Sequence, residues 1–138
     1  MWDKRAGIEG VEFTLSEFET CWSKNKHHRK ILRYRWFGVM GTESPQEDIH
    51  CRVHPNQKPV KMFLWFIDKY SNEGDIVVDP FLGSGSTLIT CEKAERTCYG
   101  MEIFPQYCDV ILKRWAEYTG EDPVRHDGKK WSEVSDVE

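Results

Sequence analysis

The chain has 138 residues, 39% of them apolar and 30% charged, with a net charge of −4. That length suits one structural domain with a core of its own, whereas the acidic balance excludes a general electrostatic attraction to nucleic-acid phosphates. No apolar run approaches the roughly 20 residues that cross a bilayer, and five cysteines without a C-x-x-C pair or metal-ligand spacing read as reduced thiols of a cytoplasmic protein that holds no metal. The charged amino terminus lacks an apolar core, so no signal peptide is expected.

In chain order, residues 18–24 and 30–36 predict two strands, with Tyr34 and Trp36 alternating against Arg33 and Arg35. The polar turn over 25–29 makes them an expected antiparallel hairpin. Positive charge gathers around that turn. It reads either as a solvated loop or as a phosphate-contacting one, in which case Lys24, Lys26, Arg29 and Lys30 are the candidate nucleic-acid contacts. Residues 38–52, with Gly41 and Pro45, read as a loop. Pro59 suits the first turn of a helix, and Val60, Phe63, Leu64 and Ile67 follow at i, i+3, i+4 and i+7, an apolar stripe that core packing explains. Asn72-Glu73-Gly74-Asp75 closes that helix.

Residues 76–78 then predict a strand, 86–93 a helix and 97–101 a second strand, ending at Glu102. Pro105 opens a helix with Tyr107, Val110, Ile111, Trp115 and Tyr118 on one side. Beyond Gly120 a short strand is expected near Val124, a turn at Asp127-Gly128, and an acidic tail over 129–138. Strands alternating with helices predict an α/β fold.

The chemistry concentrates in Asp79-Pro80-Phe81-Leu82-Gly83-Ser84-Gly85-Ser86-Thr87, a strand end that turns through two glycines into a helix. Ligands of α/β sheets sit in the crevice outside the carboxyl ends of the strands, and glycines let the backbone approach them. A phosphate-binding P-loop would need a lysine after Gly85, and none is there. A nicotinamide site would need a third glycine where Leu88 stands. S-adenosylmethionine fits better, because Asp79 suits its ammonium end and Glu102, about 20 residues on, suits ribose hydroxyls.

These residues resemble the cofactor motif of the amino-group DNA methyltransferases, which modify the exocyclic nitrogen of adenine or cytosine. His54-Pro55-Asn56-Gln57-Lys58-Pro59 is similar to the family's second cofactor motif and precedes the glycine motif, as in the permuted classes. Tyr99-Gly100-Met101-Glu102 and the following Phe104-Pro105-Gln106-Tyr107 resemble its ribose-binding strand end and next helix. The resemblance is close over residues 52–118 and looser over 2–36. It implies S-adenosylmethionine as cofactor, held by Asp79, Phe81, Gly83, Ser84, Gly85, Thr87 and Glu102, with Asn56, Gln57, Lys58 and Pro59 closing over the methionine end. Lys58 would partner the carboxylate. DNA would be the substrate of the complete enzyme.

The family's catalytic tetrapeptide, [Asp/Asn/Ser]-Pro-Pro-aromatic, has no counterpart, since the sequence contains no Pro-Pro pair. No residue is therefore assigned as catalytic. The expected fold is a partial Rossmann-like methyltransferase sheet with helices on both faces, its central catalytic strands missing, plus the hairpin. Residues 1–51 would be the remnant of the catalytic and target-side half, 52–128 the cofactor-binding portion. The opening Trp2-Asp3-Lys4-Arg5 resembles a mid-family segment, as in a chain that begins inside a longer ancestral frame and forms its carboxyl-terminal portion. Two functional readings follow: a portion of an enzyme, inactive without a complementary subunit or a second copy, or a non-catalytic remnant serving as a cofactor-binding or protein-interaction module.

Overall fold

The structure, a computed structural model, describes residues 2–3, 18–24, 31–34 and 57–134. The chain divides into two compact units, Met1–Arg52 and Val53–Glu138.

In the first unit, three two-residue strands form one sheet: β1 (Trp2–Asp3), β2 (Phe18–Glu19) and β3 (Leu32–Arg33). Their order is β2-β1-β3, with β1 antiparallel to β2 and parallel to β3. This corrects the expected hairpin. The two strands run in opposite senses, but β1 lies between them and they do not pair with each other. Residues 20–31 separate them, far more than the usual hairpin loop of about 2–5 residues, so the chain has the length to cross an intervening strand.

In the second unit Pro59, whose ring fixes φ at −67° and whose carbonyl accepts the N–H of Met62 at 3.1 Å, launches α1 (Val60–Tyr70). Val60, Met62 and Ile67 are its buried residues. Met62 falls outside the expected stripe, while Phe63 and Leu64 are half-buried. Ser71 ends the helix by returning both its N–H and its hydroxyl to the Ile67 carbonyl, at 2.9 and 2.7 Å. Gly74 then turns at φ +80°, a region that disfavours any side chain.

Strand β4 (Ile76–Asp79), helix α2 (Ser86–Lys93) and strand β5 (Thr97–Gly100) form a parallel β-α-β unit, with Ile76 opposite Thr97 and Asp79 opposite Gly100. The twofold alternation of a strand sends Val77 and Cys98 to one face, where they pack with Leu64, Ile67, Cys91 and Ala94. Ile76, Val78 and Tyr99 point the other way and are 63%, 68% and 61% exposed. Among the described residues, the helices that pack on this sheet lie on the Val77 face. The expected cover of the second face is not among them, and β4 pairs with β5 alone. Arg96 ties the layers together: its guanidinium donates to the Ser71 hydroxyl (3.2 Å), the Ser71 carbonyl (3.0 Å) and the Ala94 carbonyl.

Helix α3 (Pro105–Thr119) begins with proline in its first turn and ends at Gly120, φ +76°. Ile111 is its buried residue, and Tyr118 is 45% exposed, so the expected apolar side is only partly covered. The acidic tail drawn from residue 129 starts in folded chain. Val124 bridges Lys130, Gly128 turns at φ +84°, and Trp131–Glu133 form a 3-10 turn whose first N–H reaches the Pro123 carbonyl at 2.7 Å.

Candidate cofactor site

The turn after β4 is built by its own side chains. Asp79 accepts the N–H of Phe81 at 2.9 Å on one carboxylate oxygen and the Thr87 hydroxyl at 2.6 Å on the other. Leu82 donates its N–H to the Met101 carbonyl at 2.9 Å, which fastens the turn to the end of β5. Gly83 and Gly85 both have positive φ, +57° and +80°. At Gly85 a Cβ would also sit 3.2 Å from the Ile111 side chain, so two independent constraints demand glycine there. At Gly100 the limit is space alone: a Cβ would lie 2.6 Å from the end of the Leu82 side chain, which would have to shift.

Glu102 lies beyond the end of β5. One of its oxygens accepts the Gly83 N–H at 2.8 Å and the other the Phe104 N–H at 3.0 Å. The carboxylate thereby joins the glycine turn to the start of α3. The second motif is attached from the other side: Ser86 donates its hydroxyl to the Lys58 carbonyl at 2.8 Å.

These elements surround a cavity of about 700 Å³. Of the residues singled out in the sequence, Gln57, Lys58, Asp79, Phe81, Gly83, Ser84, Thr87 and Glu102 line it. Pro59 and Gly85 do not. Pro59 is buried beneath as the start of α1, and Gly85 is the first residue before α2, against Ile111. Asn56 lies outside the described residues, as do Lys26, Arg29 and Lys30; Lys24 is described and exposed at a bend.

The cavity adds residues that the sequence reading did not select. Phe63 contributes from α1, where its helical spacing read as core, and Pro80, Leu82 and Ser86 come from the turn itself. Met101, Ile103 and Phe104 flank Glu102. The rule that the crevice lies beyond the strand ends could have found this last group. Phe81 and Ile103 are 86% and 85% exposed, so two broad apolar side chains stand at the mouth without protein cover. A cavity with apolar walls and a few convergent polar groups is the usual form of a small-molecule site. Among the described residues no cluster of His, Cys, Asp and Glu is placed to hold a metal, and no helix is long and apolar enough to cross a membrane.

Comparison with known proteins bears on the same segments. The DNA methylase family N6_N4_Mtase matches the chain over residues 2–113. The chain belongs to this family. Its similar relatives include the type II methyltransferase M.HpaI of Haemophilus parainfluenzae, 39% identical over 74 residues, which make up 53% of this chain and 24% of the relative. The orphan methyltransferase M.BamHII of Bacillus amyloliquefaciens is 36% identical over 103 residues, covering 69% of this chain and 38% of the relative. Among solved structures, the M1.HpyAVI–SAM complex superposes with a TM-score of 0.50 at 30% identity, over 69% of this chain and 42% of that one. The chain therefore spans a quarter to two-fifths of the length of these proteins. The methyl donor of the family is S-adenosylmethionine, and the fold is that of S-adenosylmethionine-dependent methyltransferases.

Proposed function

We propose that this chain is the S-adenosylmethionine-binding portion of a DNA amino-methyltransferase acting on the exocyclic amine of adenine or cytosine, incomplete and inactive alone. The observation that carries the cofactor reading is the cavity of about 700 Å³, where Gln57 and Lys58, the Asp79–Thr87 turn and Glu102 converge although they are distant in sequence. That volume falls within the range of about 300–1,000 Å³ usual for small-molecule sites. The donor set also suits the group. Asp79 and Glu102 bring carboxylate acceptors, and Lys58 an ammonium donor, to the wall of the cavity. Asp79 can thus take an ammonium group, Glu102 a ribose hydroxyl and Lys58 a carboxylate, while Phe81 and Ile103 offer apolar surface to a base.

When bound, S-adenosylmethionine supplies an activated methyl group on its sulfonium. The chain's own residues then bind and orient it, and alignment of this kind provides much of the rate of group transfer. In a complete enzyme the target base would leave the duplex to reach the site, and Lys24, Lys26, Arg29 and Lys30 would contact phosphates. The absence of any Pro-Pro pair supports incompleteness. A complementary subunit or a second copy would cover the β4 edge, to which no described strand pairs. The missing tetrapeptide equally favours a second reading, a non-catalytic remnant that keeps only binding.

Calorimetry with S-adenosylmethionine and its demethylated product, paired with tritiated methyl transfer to DNA, tests these readings. Weak binding and no transfer by the pure chain are expected. No heat at millimolar ligand overturns the cofactor reading, and methylation by the pure chain overturns incompleteness. Transfer restored by a chain carrying a Pro-Pro-aromatic segment selects the enzyme portion over the remnant.

A further inference from the structure

The glycine turn is fastened at three consecutive residues. Glu102 holds the Gly83 N–H, the Ser84 carbonyl accepts a hydrogen bond from the Arg114 guanidinium, and Gly85 rests against Ile111. Two of the three fasteners belong to α3, at positions i and i+3 on one face of that helix. They act differently. Ile111 crowds any side chain at Gly85, whereas Arg114 holds the carbonyl of the Ser84–Gly85 peptide, whose N–H donates to the Leu82 carbonyl at 2.9 Å.

That peptide is held at both its polar atoms, and Arg114 is the hold that comes from outside the turn. It lies beside two residues of positive φ, Gly83 and Gly85, and glycine backbones adopt many conformations at little cost. Ser84 is 3% exposed and Arg114 is half-buried, so the bond forms largely away from water. A buried carbonyl left without a donor is unfavourable, and a charged donor gives the stronger kind of bond. Ser84 and Gly83 also line the cavity, so the direction of this peptide shapes the wall that a ligand meets.

We infer that Arg114 is a positioning residue of the cofactor turn, holding the Ser84–Gly85 peptide so that the cavity stays open in its binding shape. This rests on the proposal that the cavity takes S-adenosylmethionine. Without Arg114 the turn spreads over several conformations, and apparent affinity falls by the fraction that remains competent.

The experiment compares the full chain with Arg114→Met and Arg114→Lys by calorimetry with S-adenosylmethionine, together with amide hydrogen exchange on the ligand-free proteins. Met keeps the aliphatic bulk and removes the donors; Lys keeps the charge and a donor. Expected are a loss of about tenfold or more for Met, the range for losing a bond from a charged donor, partial recovery for Lys, and faster exchange confined to residues 83–87 in the Met protein. A merely structural role predicts neither recovery by Lys nor exchange confined to the turn. Equal affinity of Arg114→Met and the unchanged chain overturns the inference, as does unchanged exchange at the turn. If the unchanged chain binds no S-adenosylmethionine, the cofactor reading fails and the exchange measurement still decides the role of Arg114. Should Arg114→Met not fold, Arg114→Leu, which also lacks a donor, takes its place with the same expected loss.

Discussion

Both oxygens of Glu102 accept a main-chain N–H, one from Gly83 and one from Phe104, so this side chain serves the protein before any ligand arrives. Glu102→Ala is therefore expected to weaken S-adenosylmethionine binding by about 1–3 kcal/mol, the usual magnitude for hydrogen bonds to a charged acceptor. It should also lower the melting temperature, because two N–H groups lose their acceptor. Calorimetry and a thermal melt on the same preparation separate the two effects. A lowered melting temperature with unchanged affinity would make Glu102 a clamp of the turn and nothing more. At this scale the sequence singled out Asp79 and Glu102, through a strand end and a spacing. It did not show that Asp79 and Glu102 are tied to Thr87, Gly83 and Phe104, since those bonds depend on how β4 and β5 lie side by side.

At the scale of elements, the β4-α2-β5 unit was the most legible part. The helix expected over 86–93 is observed at Ser86–Lys93, and the strands differ from expectation by one residue at one end. Apolar periodicity and flanking glycines are local signals, and here local and tertiary preferences agree. The unit also carries a pH response. Burial pushes the Cys98 thiol up to about 12 from an ordinary 9.0, and burial raises Cys91 as well. Below pH 9 the thiol is protonated in both folded and unfolded chains, so its contribution is intact. As the pH climbs through 9 toward 12 the unfolded chain loses the proton first, and stability falls. Urea midpoints measured across that range should decline more steeply for the natural chain than for Cys98→Ala. Equal slopes would show that Cys98 is not protected by burial. The opposite case is the pair β2 and β3, where a local hairpin signal was overridden by β1, whose register depends on contacts distant in sequence.

At the scale of the whole molecule, the decisive feature is the face of the β4–β5 sheet that no described element packs on, with Ile76, Val78 and Tyr99 each more than half exposed. An exposed apolar face invites association, as does the β4 edge, to which no described strand pairs, and identical copies can cover identical surfaces through a two-fold axis. The free chain is expected to self-associate or to bind a complementary chain, and to remain without methylation activity when it pairs with itself, since both copies lack the Pro-Pro tetrapeptide. Light scattering over a concentration series tests this. A monomer at all concentrations would show that the edge is tolerated as it stands.

The sequence by itself determined the class of the fold, the order of elements from Pro59 to Gly120, and the identity of the glycine turn with its two acids. Each of these is encoded within a few residues by periodicity, proline and glycine constraints, or charge at a strand end. The tertiary structure alone decided that Trp2–Asp3 enters the first sheet between β2 and β3, and that Ile76 and Val78 face outward while Val77 is packed. It also brought Arg114 to the Ser84 carbonyl, thirty residues earlier in the chain. No local pattern specifies these facts, because strand partners and side-chain contacts between distant segments form only where the packed layers bring them together.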